Sequence, residues 1–145
     1  MEFVKLVFVI EPDESGWPPV RKEGMWATRA PGDLYVLDNI PFYATAACGD
    51  HFRATEIDGE LYASELVLES GHGTVRVIGS KEELDAIRRT AIEPGCTCER
   101  SESMLAIDVP GTVDWPRLQG ELRRAHEAGR IDYEEAVLPS ARPGE

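Results

Sequence analysis

The sequence predicts an α+β protein: a small N-terminal antiparallel β-sheet or barrel unit, residues 1–72, packed on a C-terminal ferredoxin-like βαββαβ unit, residues 73–138. Three observations carry this expectation. The first half is filled by short apolar runs separated by Gly, Pro and Asp. From Thr74 onward, strand-like runs alternate with two stretches of helical spacing that carry cap residues. Between the halves lies "ESGHGTVRV", residues 69–77, whose two glycines suit a sharp change of direction because glycine tolerates positive φ.

The elements follow in order. "FVKLVFVI" places Val4, Leu6, Phe8 and Ile10 on one face and Phe3, Lys5, Val7 and Val9 on the other. An apolar majority on both faces predicts a central strand. "EPDESGWPPVRKEG" is an acidic loop rich in Pro and Gly. "MWATRA" and "DLYVLDNI" flank Pro31 and Gly32, a strand–turn–strand signal. In "FRATEIDGELYASELVLE", Asp58 and Gly59 sit between two strand-like runs and predict a tight hairpin. After the strand "TVRVIG", Ser80 with Glu83 three residues on forms a capping box, and Leu84, Ile87 and Ala91 recur at helical spacing. Pro94 and Gly95 end that helix. "CTCER" and "MLAIDV" read as strands. A second helix starts at the N-cap Asp114, has Pro116 in its first turn and a stripe of Leu118, Leu122 and Ala125, and ends at Gly129. "IDYEEAVL" is the last strand, and "PSARPGE", residues 139–145, reads as a disordered tail.

Bulk properties narrow the function. The chain has 145 residues, 42% of them hydrophobic, and suits one compact domain or two half-size units. The opening run is too short to span a bilayer and lacks a small-residue cleavage site, so it reads as a strand of a cytoplasmic protein with no membrane partner. Cys48, Cys96 and Cys98 lack the spacing of a disulfide framework, which agrees with a reducing compartment. Acidic residues outnumber basic ones 27 to 15, a net charge of -12. That excess disfavours direct contact with nucleic acid, favours solubility and permits steered association with a basic protein. The imbalance is steeper in residues 1–73, with 13 acids against 5 bases.

Chemistry has few candidates. His72, on its glycine-flanked loop, is the one candidate general base, with Glu69 or Asp50 as an orienting carboxylate and Ser70 as a nucleophile. The alternative is a turn or backbone-capping histidine. Neither a nucleophile-elbow motif nor a phosphate-binding glycine motif is present. Arg76 can bind an anion or pair with a carboxylate. Cys96 and Cys98 share one face of a strand, where they read as small buried hydrophobes. No zinc spacing accompanies them, and neither metal nor cofactor is expected. Cys48 and His51 read as part of a turn rather than a thiol–imidazole pair. The aromatic residues Trp17, Trp26, Tyr35, Phe42, Tyr43 and Tyr62 read as core. Trp17, followed by two prolines in an acidic loop, is a further candidate contact for a ligand or partner.

The stretches "GWPPV", "DNIPFYA" at 38–44, "GD" at 49–50, "SGHGTVRV" and the terminal "YEEAVL" resemble a bacterial family of small uncharacterised proteins. It is a domain of unknown function with an Asn-Ile-Pro-Phe core motif. The resemblance runs over residues 3–138 and implies a small bacterial soluble protein. It marks Asp38, Asn39, Pro41, Phe42, His72 and Arg76 as family-defining positions and implies no activity or cofactor. Where family members often read Ser-Gly-His-Ser, this chain has Gly73. Turn chemistry accounts for the motif, with Asp38 and Asn39 capping a turn and Ile40 and Phe42 anchoring it. A small polar pocket formed by Asp38, Asn39 and His72 is the ligand alternative.

Three functions are therefore expected, in this order. The first is a non-enzymatic acidic binding protein, of immunity or antitoxin type, that inhibits a basic protein partner. The second is a small-molecule-binding regulatory module, by analogy with ferredoxin-like units. The third is a small enzyme with His72 as general base, assisted by Asp38, Asn39 or Asp50. Edge pairing of a ferredoxin-like sheet would also allow a homodimer.

Overall fold

The computed structural model describes residues 2–140. They form two compact units, one ending at Ser70 and the other beginning at Gly71, where φ is +89°. A side chain rarely adopts that conformation, which places a glycine at the boundary.

In the first unit, β1 (Phe3–Val9), β2 (Lys22–Ala30), β3 (Leu34–Leu37), β4 (His51–Ile57) and β5 (Glu60–Leu68) close into a barrel in chain order. Each strand pairs antiparallel with the next. Five alternating strands leave the first and last running the same way. The closing pair of β1 and β5 is therefore parallel, in contrast to the antiparallel pairing expected throughout, and its register holds only Leu6 with Leu61 and Val7 with Tyr62.

A barrel strand shows one face to the interior. Leu6 and Phe8 fill it with Met25, Ala27, Tyr35, Leu37 and Phe52, and Phe8 meets Phe52 edge to face at 5.0 Å. The second face of β1 is consequently not a second core: Val7 is buried, but Phe3 and Val9 are exposed. Trp26 also lies outside the core, with the Lys5 ammonium 4.6 Å above its ring. Asp58 and Gly59, both at positive φ, turn β4 directly into β5. Two extra residues, Ser64 and Val67, bulge β5 against β4.

The second unit runs β6 (Gly73–Gly79), α1 (Lys81–Ile92), β7 (Thr97–Arg100), β8 (Met104–Val109), α2 (Trp115–Glu127) and β9 (Ile131–Val137). Its sheet has the order β7-β8-β6-β9, with every pair antiparallel. The helices begin where side-chain caps satisfy their first amides: the Glu83 amide donates to Ser80 Oγ and the Arg117 amide to Asp114 Oδ1, each at 3.3 Å. Leu84, Ile87 and Ala91 of α1 and Leu118, Leu122 and Ala125 of α2 pack on Val75, Val77, Leu105, Ile107 and Val109. Alternation sends Thr74, Arg76, Ala106 and Asp108 to the other face of the sheet, and all four are buried.

Pro139 and Ser140 run back beside the start of β6, where the Ser140 amide donates to Gly71 O at 2.8 Å. The remainder of the expected disordered tail, residues 141–145, lies outside the described residues.

Two glycines should respond oppositely to alanine. A Cβ on Gly73 would stand 2.6 Å from Pro139 Cδ and 2.7 Å from its nitrogen, so Gly73→Ala should destabilise. At Gly120, inside α2, the nearest atom to such a Cβ is Arg124 Nη1 at 3.6 Å. Gly120→Ala should therefore stabilise by about 0.5–1 kcal/mol in urea unfolding, the helix-propensity gain.

Candidate functional site

The polar face of the second sheet holds the most concentrated chemistry. His72 immediately precedes β6, and Asp108 lies on β8 directly opposite Thr74. The imidazole Nδ1 lies 2.9 Å from Asp108 Oδ1 and 3.0 Å from Oδ2. A carboxylate only accepts, so Nδ1 carries a proton and the ring is held in one tautomer. The Asp108 side chain is 7% exposed and that of His72 is 34% exposed, which makes the histidine the accessible end of this hydrogen-bonded pair.

Four residues after His72, Arg76 Nε donates to Glu134 Oε1 at 2.8 Å across the β6–β9 register. Its guanidinium is buried whereas Glu134 is largely exposed. Arg76 thus pairs with a carboxylate, one of the two roles open to it in the sequence. Asp108, a carboxylate that sequence reasoning did not single out, orients His72. The clue to it was a lone acid in the apolar run "MLAIDV", on the face opposite Leu105, Ile107 and Val109.

The other candidates belong to the first unit. Asp50 is buried, accepting from the Ala47 amide at 3.0 Å and the Ser70 amide at 2.8 Å. The Ser70 hydroxyl donates its one proton to Cys48 O at 2.7 Å. Asn39 Oδ1 accepts from the Trp26 amide at 2.9 Å, extending the β2 ladder one step beyond β3. The Asp38 amide donates to Trp26 O at 2.9 Å, and Asp38 is exposed.

Sequence reasoning passed over Glu23. Its carboxylate accepts from the amides of Phe42, Tyr43 and Ala44 at 2.8, 3.1 and 2.8 Å. With Asn39, it pins both ends of "DNIPFYA".

Trp17 is exposed and meets Tyr43 edge-on, ring centres 6.3 Å apart, after a cis Trp17–Pro18 bond. Asp13 orders this loop by accepting from the Ser15 hydroxyl at 2.6 Å and the Trp17 amide at 3.1 Å. Those hydrogen bonds, that of Ser15 foremost, hold the Asp13 carboxyl below the usual carboxylate range.

The thiol chemistry of Cys96 and Cys98 is suppressed. Burial pushes the Cys96 thiol up to about 12, with smaller upward contributions from Cys98 and Asp108. Burial likewise raises Cys98 to about 11. His51 Nδ1 donates to Gly49 O at 3.1 Å, while Cys48 Sγ donates to Leu37 O at 3.8 Å. Among the described residues, no group of three His, Cys, Asp or Glu side chains is placed to hold a metal ion, and no helix is long and apolar enough to cross a membrane.

A family model described as "Domain of unknown function (DUF4265)" matches residues 23–133. The chain belongs to this family. No curated protein matches it. Among solved structures, it is similar to a crystal structure of a hypothetical protein from Neisseria gonorrhoeae, with a TM-score of 0.79 and 22% identity over 97% of this chain and 99% of that one. That likeness shows the fold. Within this fold, Pro139 packs where the Cβ of a residue other than Gly73 would stand.

Two measurements follow from this geometry. Asp108→Ala removes a carboxylate that accepts from His72 Nδ1 and should lower stability by about 0.5–1.5 kcal/mol in urea unfolding, the range for one hydrogen bond. A raised thiol pKa means less thiolate at a given pH. At pH 8 only about one Cys96 thiol in ten thousand is ionised, given its value of about 12. Disulfide-exchange reagents should therefore leave Cys96 and Cys98 unmodified in the native protein and label both after denaturation.

Proposed function

We propose that this protein is a non-enzymatic binding protein that uses its acidic β unit to hold a basic protein partner, as an inhibitor of immunity or antitoxin type would. One observation carries the reading. Of the thirteen acidic side chains in the first unit, Glu23 and Asp50 are drawn inward and the other eleven are exposed, against five exposed bases. Surface potential of one sign accelerates encounter with a partner of the other and rejects partners of the same sign. In support, Asp50, Asn39 and Ser70 are committed to backbone hydrogen bonds within their own unit. The same reading takes the protein as bacterial and cytoplasmic. It takes the βαββαβ unit as ferredoxin-like, supported by its strand order, and "DNIPF" as a family motif with a structural role.

A second reading has one observation in its favour. An imidazole oriented by a buried carboxylate suits a general base, as His72 and Asp108 are arranged. If that reading holds, a small metabolite should raise the melting temperature and His72→Gln should abolish the rise.

Affinity capture of the tagged full chain from bacterial lysate, at low and at moderate salt, tests the first reading. A basic protein retained at low salt and shed at moderate salt is expected, because screening shortens the Debye length from roughly 30 Å at 0.01 M to about 8 Å at 0.15 M. Retention of no basic protein at low salt would overturn it.

A further inference from the structure

We propose that the open edge of β5, residues 63–68, docks an extended segment of the partner in which basic and apolar side chains alternate. The segment adds to the barrel as a further strand. This deepens the proposed function and rests on it.

The edge arises from unequal pairing. β4 accompanies β5 as far as Leu68, but β1 accompanies it only through Leu61 and Tyr62. Past Tyr62, no strand among the described residues lies along the side of β5 away from β4. Leu66, Val67 and Leu68 are exposed there by 46%, 41% and 44%. A free edge with consecutive exposed apolar residues is a ready template for another strand. Main-chain hydrogen bonds supply affinity in such pairing, and alternate side chains supply specificity.

Charge selects the occupant. Glu65 and Glu69 flank the apolar triplet, and Glu56, Asp58 and Glu60 extend the acidic surface along the same hairpin, all exposed. Arg53 faces them but is taken by Glu65 at 3.2 Å, and Lys22 lies 3.7 Å from Glu60. A second copy of this chain, at net charge -12, would set these acids against their own kind. A segment with lysine or arginine at alternate positions turns these toward the flanking acids and its apolar side chains toward the members of the apolar triplet that share the other face.

The test compares two labelled peptides of equal length and charge, a Lys-Val repeat and a Lys-Pro repeat, by fluorescence anisotropy with the full chain at low salt. Proline removes the amide donors that strand addition requires. The Lys-Val peptide should bind roughly ten-fold tighter, a difference of about 1.4 kcal/mol. Val67→Pro should abolish that preference. Hydrogen exchange on the unaltered protein should show residues 63–68 gaining protection when Lys-Val binds, which keeps the test sound if the proline variant does not fold. Equal binding of both peptides overturns the edge and leaves the acidic-surface reading standing. Binding of neither overturns both. A concentration-dependent dimer in sedimentation, lost in Val67→Pro, would give the edge to a second copy and likewise overturn the proposal.

Discussion

The first unit depends on a constraint of parity. Strands joined one after another with alternating direction can close antiparallel only if their number is even, and here there are five. The closing pair must run parallel, with slanted hydrogen bonds, and it forms over just two register positions. The short seal divides β5 into two parts. Its N-terminal part, next to the turn at Asp58 and Gly59, seals the barrel through Leu61 and Tyr62. Its C-terminal part overruns that seal, bulging at Ser64 and again at Val67 while it stays paired to β4. Bulges bend a strand and sharpen its twist.

Acidic residues divide between two physical roles. Glu23 gathers three successive amides of the loop after β3, and Asp50 gathers the amides of Ala47 and Ser70. Asp108 holds the His72 ring from the polar face of the second sheet. Each is a buried or half-buried carboxylate whose acceptor capacity is filled by donors the local backbone or ring would otherwise leave unpaired. Long loops without regular structure need such fixing, since their amides have no ladder to join. The other acids of the barrel unit are exposed; Asp13 still orders its own loop, but collectively they act through a field more than through bonds.

What was legible in the sequence was local. Ser80 with Glu83, Asp114 with Pro116, and Gly129 marked the helix ends because caps are read within a few residues of the helix they serve. Asp58 and Gly59 marked their hairpin for the same reason. A sheet and a barrel both fit the sequence, and the parallel closing pair was not legible, because pairing of β1 with β5 spans more than fifty residues and no periodicity encodes it. Phe3 and Val9 looked like core because alternation identifies two faces without saying which one water reaches. Of the site, His72, Asn39 and Asp50 were visible as polar residues beside glycines and turns. Their partners were not: Asp108 is 36 positions from His72, and Glu23 is 19 to 21 from the amides it binds. Trp26 misled for a different reason, since a tryptophan in a strand can cover a lysine stem on the outside as readily as fill the inside.

The likeness to a structure only 22% identical, at a TM-score of 0.79, is what constraints of this kind produce. Parity, alternation and a few well-placed caps can be met by many sequences, so long as apolar volume and pattern are kept. Features required by that pattern therefore say little about function. More informative are features the fold does not need. Closing the barrel requires Leu61 and Tyr62, and holding its loop requires Glu23. Neither task requires three consecutive apolar side chains in solvent on an unpaired edge, or acids placed on both sides of them. An exposed apolar edge invites aggregation, and flanking charge of one sign limits it by repelling identical chains. The same charge leaves the edge open to a chain of opposite sign, so protection from self-association and selection of a partner are one electrostatic property of β5.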